Sequence, residues 1–149
     1  MEEFKSEKEK MIAGALYFAS DPELVADRKK AREQMALINQ QPDTYIRRQL
    51  IEETFGKVGV GTYIEPMIQF DYGYNISVGK NFYANFNNVF LDVCPIEIGD
   101  NCMFGPMCNF IQPSIHYKQP SVIAEWNQGN ELSLATMFGL AVERLSFLA

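Results

Sequence analysis

The sequence predicts a mainly β protein in which an α-helical subdomain precedes a parallel β-helix built of hexapeptides. Three observations lead to this prediction. Apolar residues recur with helical spacing in residues 1–57, they recur at every sixth position in residues 58–110, and both patterns are lost in residues 111–149. We therefore expect a helical cap subdomain, a partial β-helix, and an irregular or partly helical C-terminal tail.

Composition narrows the possible partners. The chain has 149 residues, a net charge of −6 and 47% hydrophobic residues, which suits one globular domain and argues against nucleic acid or an anionic membrane as a partner. The N-terminal "MEEFKSEKEKM" is charged and lacks the apolar core of a secretion signal, so we expect a cytoplasmic protein. The cysteines Cys94, Cys102 and Cys108 form no CxxC pair, and small buried thiols are expected rather than metal ligands.

Two helices are predicted at the start of the chain. In "SEKEKMIAGALYF", the apolar residues Met11, Ala15 and Phe18 share one helical face. The following "SDPELVADRKKAREQMALINQQ" offers Ser20 or Asp21 as an N-cap, with a proline at the first helical position. Both segments are expected to pack their apolar faces on another part of the protein.

The rest of the helical subdomain follows the same pattern. Leu24, Met35 and Ile38 can form one apolar stripe along the second helix. A third helix is predicted in "TYIRRQLIEETFG", with Thr44 as a candidate cap and Gly56 as its end.

From Val58 onward the period changes to six, and the turn sequences "YGYN", "VGKN" and "IGDN" recur. One apolar series is Val58, Ile64, Phe70, Ile76 and Phe82; the other is Val78, Ala84, Phe90, Ile96, Cys102 and Cys108. A small or apolar residue at every sixth position is typical of a hexapeptide β-helix, in which three short strands make one triangular coil. The alternative is an antiparallel sheet with a period of two, which the unbroken spacing of six disfavours.

Two quoted stretches carry a family resemblance. The sequence "GALYFASDPELVADRKKA", followed by "FDYGYNISVGKNFYANFNNVFLDVCPIEIGDNCMFGP", resembles the maltose/galactoside O-acetyltransferase family over about residues 5–110. The resemblance implies a left-handed parallel β-helix with an N-terminal helical cap, usually a homotrimer with active sites between subunits. It also implies transfer of an acetyl group from acetyl-CoA to a sugar hydroxyl, without a metal.

The resemblance also implies site residues. Asn85 matches the family's asparagine near the acceptor and the catalytic histidine, and Asp92 lies in its acidic acceptor-binding stretch. Asp71 and Tyr83 are expected to flank the same cleft. These side chains suit the role, because a carboxylate accepts hydrogen bonds from sugar hydroxyls and an amide can orient a histidine.

The resemblance breaks after Phe110. The family continues with a run like "YTA-HP", whose histidine is the general base, and with further hexapeptides that hold CoA; residues 111–149 read differently. The region can also be read in a shifted frame, in which each codon takes the last base of one residue's codon and the first two bases of the next. With allowed codon choices, this frame encodes "YTAIHPLQAAERNSGMES" from Phe110 onward and "GKRVKIGDNVWIGGGA" from Gly129 onward. Two positions are fixed: Trp126 followed by Asn127 forces glutamate, and Met137 followed by Phe138 forces valine. We therefore hypothesise that one base was lost near the Phe110 codon, which would leave the family sequence truncated there. The alternative is that residues 111–149 are a genuinely divergent C-terminal segment.

His116 is the only histidine in the chain and the candidate catalytic base. In the shifted frame the family histidine falls one position earlier, where this chain has Ile115. Adjacent residues of a strand point to opposite faces, so His116 is expected to be displaced from the catalytic position. The residues that bind CoA are left unknown.

Three interpretations follow. The chain is an acetyl-CoA-dependent sugar O-acetyltransferase, impaired by its altered tail; or it is a non-catalytic β-helical remnant that binds a sugar or a partner; or it is a non-functional gene product.

Overall fold

The computed structural model describes residues 6–111, which form three helices and nine short strands. Their bounds are α1 (Glu7–Ile12), α2 (Pro22–Gln40), α3 (Thr44–Thr54), β1 (Lys57–Val58), β2 (Tyr63–Ile64), β3 (Gln69–Phe70), β4 (Ile76–Val78), β5 (Tyr83–Ala84), β6 (Val89–Leu91), β7 (Ile96–Ile98), β8 (Met103–Phe104) and β9 (Asn109–Ile111). The predicted tail beyond Ile111, including His116 and its expected partly helical structure, lies outside the described residues.

The strands form a three-sided parallel coil. Three three-stranded parallel sheets have the orders β1-β4-β7, β2-β5-β8 and β3-β6-β9, which we call faces A, B and C. Consecutive strands lie in different sheets, so the chain visits each face once and then returns to the first, one layer further along. The described residues make three such turns, and the prediction of a β-helix is confirmed.

One turn of the coil takes 20 residues rather than 18. Lys57 pairs with Ser77, and Ser77 pairs with Glu97. The spacing of six is therefore correct within a turn and wrong across the corner between faces C and A, which is two residues longer. The inward positions of the three turns are Val58, Ile64 and Phe70; Val78, Ala84 and Phe90; and Ile98, Phe104 and Phe110.

The longer corner corrects part of the predicted inward series. Counting by six from Phe90 leads to Ile96, Cys102 and Cys108, whereas the strand pairing sets Phe104 opposite Ala84 and Phe110 opposite Phe90. The residues that occupy the inward slots of faces B and C are Phe104 and Phe110, two positions further on. The extra residues precede face A, so the count is shifted by two in every later strand.

Aromatic rings fill the interior of the coil. Phe90 is fully buried and stacks on Phe104 and Phe110, at 6.1 Å between ring centroids in each case. Phe82 meets Phe104 edge-on at 5.1 Å. Burying one such ring contributes about 1.5–3 kcal/mol to the stability of the fold.

The first helix is shorter than predicted. It begins with a capping box between Ser6 and Glu9 and ends at Ile12. Gly14 follows with φ of +72°, which ends the helix. Met11 is fully buried as predicted, whereas Phe18 lies beyond the helix and is 66% exposed. The prediction that Phe18 shares a helical face with Met11 is therefore wrong.

The other two helices begin close to the predicted positions. Asp21 caps α2, accepting from the Glu23 N–H at 3.0 Å, and Pro22 is the first helical residue. For α3 the cap is Asp43, whose carboxylate accepts from two backbone N–H groups. Thr44, the predicted cap, is instead the first residue of the helix, because the aspartate before it satisfies the free N–H groups.

The helices pack on the first turn of the coil. Ala31 and Ile38 of α2 and Ile51 of α3 share one buried cluster with the coil interior. Asn39 makes a reciprocal pair with the backbone of Ile68, at 2.8 and 2.9 Å. The prediction that the helical subdomain packs on another part of the protein is confirmed.

Candidate functional site

A tight backbone turn, Asp71–Gly73, lies in the long corner after face C. The Asp92 carboxylate of the next turn accepts three backbone N–H groups there. Oδ1 accepts from Asp71 at 2.8 Å and from Tyr72 at 2.9 Å, and Oδ2 accepts from Gly73 at 2.7 Å. Gly73 has φ of +83°, and a Cβ there would lie 2.7 Å from Thr54 Cγ2. Only glycine fits this position without strain.

Asp92 has no exposed surface. Burial raises the pKa of this carboxyl to about 6, although the three N–H donors oppose the shift. Asp92, which the resemblance predicts to bind the acceptor sugar, therefore offers no solvent-facing carboxylate oxygen in this structure. Its described contacts are all internal, and direct contact with a sugar stays a prediction.

Two arginines of α2 hold the side chains of the same turn. Arg28 Nη1 donates to the Tyr72 hydroxyl at 2.7 Å, and Arg32 Nη2 donates to Asp71 Oδ1 at 3.1 Å. Arg32 Nη1 also donates to the Phe70 carbonyl. Neither arginine was predicted as a site residue; their spacing of four residues, which puts them on one helical face, was the available signal.

The surroundings of the turn are rich in tyrosine. The rings of Tyr72 and Tyr74 lie 5.4 Å apart, and Lys8 Nζ sits 4.4 Å from the centroid of the Tyr74 ring. Burial raises the pKa of Tyr17, Tyr72 and Tyr74 above the ordinary tyrosine value. These hydroxyls therefore stay protonated at neutral pH, and among them the Tyr72 hydroxyl accepts a described hydrogen bond, from Arg28.

Tyr83 and Asn85 lie on face B. Tyr83 stacks on Tyr63 of the turn before, with centroids 6.0 Å apart and rings 10° from parallel. Both residues alternate with buried Ala84, so their side chains point outward. Asn85 Oδ1 accepts from the Phe86 N–H at 2.8 Å, and none of the described hydrogen bonds uses its Nδ2.

The predicted site residues therefore fall into two groups. Asp71 and Asp92 belong to the corner after face C, while Tyr83 and Asn85 belong to face B. Within residues 6–111, no described hydrogen bond, ion pair or ring contact joins the groups. That Asp71 and Tyr83 flank one cleft stays a prediction. His116 lies outside the described residues.

A cleft of about 310 Å³ lies between α3 and the first turn of the coil. Arg47 is buried beside it, donating to the Ile64 carbonyl and the Gln41 carbonyl at 3.1 Å each. The lining residues are Thr44, Tyr45, Arg47, Arg48, Ile51, Val58, Gly61, Thr62, Tyr63 and Ile64. None of the predicted site residues lines this cleft, although Tyr63 connects it to Tyr83 by stacking.

The three cysteines are free thiols. Cys94 is buried and donates to the Met11 carbonyl at 3.1 Å, as the prediction of a packed thiol requires, while Cys102 and Cys108 are half-buried. In residues 6–111, no group of three or more histidine, cysteine, aspartate or glutamate side chains is arranged to hold a metal ion. No helix in that part of the chain is both long and apolar enough to cross a membrane.

Comparison with known proteins connects this architecture to acetyl transfer. Residues 10–59 match the family model described as the maltose acetyltransferase hexapeptide capping motif. A Dictyostelium discoideum protein with a provisional acetyltransferase name is 46% identical over 101 residues, which cover 68% of this chain and 53% of that protein.

Solved structures of acetyltransferases share the fold. A maltose O-acetyltransferase from Clostridium difficile is 45% identical, with a TM-score of 0.67 over 70% of this chain and 57% of that one. A hexapeptide-repeat acetyltransferase from Vibrio cholerae, solved with acetyl-CoA, is 35% identical, with a TM-score of 0.66 over 70% and 57%. A galactoside acetyltransferase solved with coenzyme A is 35% identical, with a TM-score of 0.63 over 69% and 52%.

The capped three-sided coil thus defines the scaffold of the hexapeptide-repeat acetyltransferases, a left-handed parallel β-helix with N-terminal helices. Within that class the chain is similar to the maltose and galactoside O-acetyltransferases, and the resemblance seen in the sequence is confirmed. The chain spans about half the length of the relatives it matches.

Proposed function

We propose that the chain derives from an acetyl-CoA-dependent sugar O-acetyltransferase of the maltose/galactoside type. The observation that carries this proposal is the conjunction of the capping motif in residues 10–59 with three stacked coils like those of the maltose O-acetyltransferase. The solved relatives with acetyl-CoA and coenzyme A support acetyl-CoA as the acetyl donor. A sugar hydroxyl is the acceptor, and no metal takes part.

The reaction requires one proton transfer and one substitution. A general base takes the proton of the sugar hydroxyl, the oxygen attacks the thioester carbonyl, and the CoA thiolate leaves. Asn85 and Tyr83 on face B, and Asp71 in the corner, are the residues we assign to the acceptor and to orientation of the base. The proposed base would be a histidine close to the position of His116.

A homotrimer with sites between subunits is part of the proposal. Its support is the separation of the two groups of site residues: Asp71 lies at the corner after face C, and Tyr83 and Asn85 lie on face B. In the trimer, Asp71 of one subunit would face Tyr83 and Asn85 of a neighbouring subunit, and together they would form one site. The three free cysteines suit a reducing compartment, and we place the protein in the cytoplasm.

We further propose that residues 111–149 are read out of frame and that the chain is nearly inactive. The support is the shifted reading, which restores an "IGDN" run like Ile98–Asn101 of this chain. In the structure, Ile98–Asn101 leads into a corner that stacks on the corresponding corner of the turn before, where Asn81 Nδ2 donates to Asn101 Oδ1 at 3.0 Å. The three segments 1–57, 58–110 and 111–149 remain our proposed division of the chain.

The experiment is an acetyl-transfer assay with two gene products. This chain and the product of the same gene with one base inserted at the Phe110 codon are each given acetyl-CoA with maltose, galactosides or glucose, and release of the CoA thiol is followed. We expect turnover from the restored product and a rate lower by at least about 10²-fold from this chain, since loss of a general base costs about 10²–10⁴-fold. Equal rates that fall on His116→Ala substitution would refute the proposed inactivity and assign His116 as the base.

A second candidate function is a non-catalytic sugar-binding remnant. It is favoured by the location of the predicted acceptor residues, Asp71, Tyr83, Asn85 and Asp92, all of which lie in the described coils. Saturable sugar binding without formation of an acetylated sugar would support this function. Failure of the chain to bind either a sugar or acetyl-CoA would indicate a non-functional gene product.

A further inference from the structure

We propose that Asp92 is a positioning residue of the acceptor site: it fixes the backbone turn Asp71–Gly73 and so orients Asp71, and it does not contact the sugar itself. This inference rests on the proposed sugar-binding function and specifies how one half of that site is built.

The hydrogen bonds of Asp92 all point toward the turn. Its two carboxylate oxygens accept from three consecutive N–H groups at 2.7–2.9 Å, and the side chain has no exposed surface. Its own carbonyl accepts from Asn75 Nδ2 at 2.7 Å. Asp92 therefore holds the turn through its side chain and the residues after the turn through its backbone.

The turn presents Asp71 at the surface. The Asp71 carboxylate is 22% exposed, and its contact with Arg32 is the one described ion pair that it makes in residues 6–111. The direction of this carboxylate depends on the backbone that Asp92 holds. A binding or catalytic group works only when it stays within about 0.5 Å of the productive position, so a small movement of the turn would weaken sugar binding.

The structure offers a matched control for the chemistry. Asp100 Oδ1 accepts the Lys80 N–H at 2.7 Å, which is also a carboxylate of one turn holding the backbone of the turn before. Asp100 is exposed and belongs to a corner different from that of Asp71. Asp100→Asn thus removes a similar charge without touching the acceptor turn, and its amide oxygen can still accept the Lys80 N–H.

The experiment combines maltose titration with amide hydrogen exchange of the full chain. In Asp92→Asn, one carboxylate oxygen becomes an NH₂ group that cannot accept a backbone N–H. We expect exchange of the amides of residues 71–73 to accelerate at least about tenfold and the Kd for maltose to rise by about tenfold, the effect of one lost hydrogen bond to a charged group. Asp100→Asn should change neither quantity.

A double-mutant cycle separates positioning from a general loss of structure. If Asp92 acts through Asp71, then Asp92→Asn should weaken maltose binding in the wild-type background and have little further effect in the Asp71→Asn background. Gly73→Ala is a second route to the same result if Asp92→Asn does not fold, because it tilts the turn and leaves Asp92 in place.

The outcomes are distinct. Faster exchange at residues 71–73 with an unchanged Kd, or an equal loss of affinity in both backgrounds, would overturn the positioning role and leave sugar binding intact. The absence of saturable maltose binding by the wild-type chain would instead overturn the proposed acceptor function, and this inference with it.

Discussion

The contact between successive turns of the coil can be tested at one glycine. A Cβ added to Gly79 would lie 2.4 Å from Asp100 Oδ1 and 2.5 Å from the Gly99 carbonyl carbon. Ordinary contacts need about 3.4 Å or more, so the two turns would have to separate by about 1 Å. Overpacking of this kind costs about 1–3 kcal/mol, and loss of the Lys80 to Asp100 hydrogen bond adds about 1 kcal/mol. We expect Gly79→Ala to lower the free energy of unfolding by about 2–4 kcal/mol.

Gly99 is the matched control for this substitution. It occupies the same position of the repeat one turn later, and among residues 6–111 no atom comes within 4 Å of the Cβ that alanine would add. Gly99→Ala should therefore change stability by less than about 1 kcal/mol. Urea unfolding followed by circular dichroism measures both variants. Equal unfolding free energies for Gly79→Ala and Gly99→Ala would refute the stacking argument.

The same pair of variants tests the proposed reading frame. In the product of the gene with one base inserted, a further turn of the coil is expected to cover Gly99. Gly99→Ala should then become as costly as Gly79→Ala. If it stays neutral in that product, the restored residues do not stack on this corner.

Two further predictions concern the interior and the buried carboxylate. Phe90→Ala, which empties a fully buried ring site, should cost about 3–5 kcal/mol in urea unfolding, whereas Phe86→Ala, at a side chain 47% exposed, should cost far less; similar values would contradict the assigned interior. Burial raises the pKa of Asp92 from 3.8 to about 6, so the folded chain holds that proton more tightly than the unfolded chain. The stability this supplies is present below about pH 4 and is lost as pH rises through 6, which amounts to about 3 kcal/mol. The stability difference between wild type and Asp92→Asn should shift by about 2 kcal/mol between pH 4 and 7, and a constant difference would count against the raised pKa.

The apolar residue at every sixth position made much of the fold predictable. Apolar positions at Val58, Ile64 and Phe70 identify the three faces of a turn, because each inward slot needs a small or apolar side chain. The start of α2 was also predictable, since Asp21 followed by Pro22 is a strong local signal for an N-cap and the first helical residue. Such features depend only on neighbours in sequence.

The missed features depend on contacts distant in sequence. The hexapeptide spacing holds both before and after the long corner, so the spacing alone does not reveal its two extra residues. These residues belong to the turn around Tyr72, whose N–H donates to the Asp92 carboxylate of the next layer. Arg28 and Arg32 look like surface residues of a polar helix until the coil is placed beside them. The spacing pattern likewise shows that the Asn85 side chain points outward, but it does not show which residue or ligand that side chain will contact.

The coil repeats as a unit of 20 residues, and this has a consequence for how such a chain can change over evolution. A duplication or deletion of 60 bases adds or removes one layer and leaves every strand opposite its proper partner. An insertion of six residues would instead move each later strand to the neighbouring face. A single-base slip differs from both, because it erases the repeat in every layer encoded after it. The layers encoded before it contact only their immediate neighbours, so they keep the sequence they need to fold.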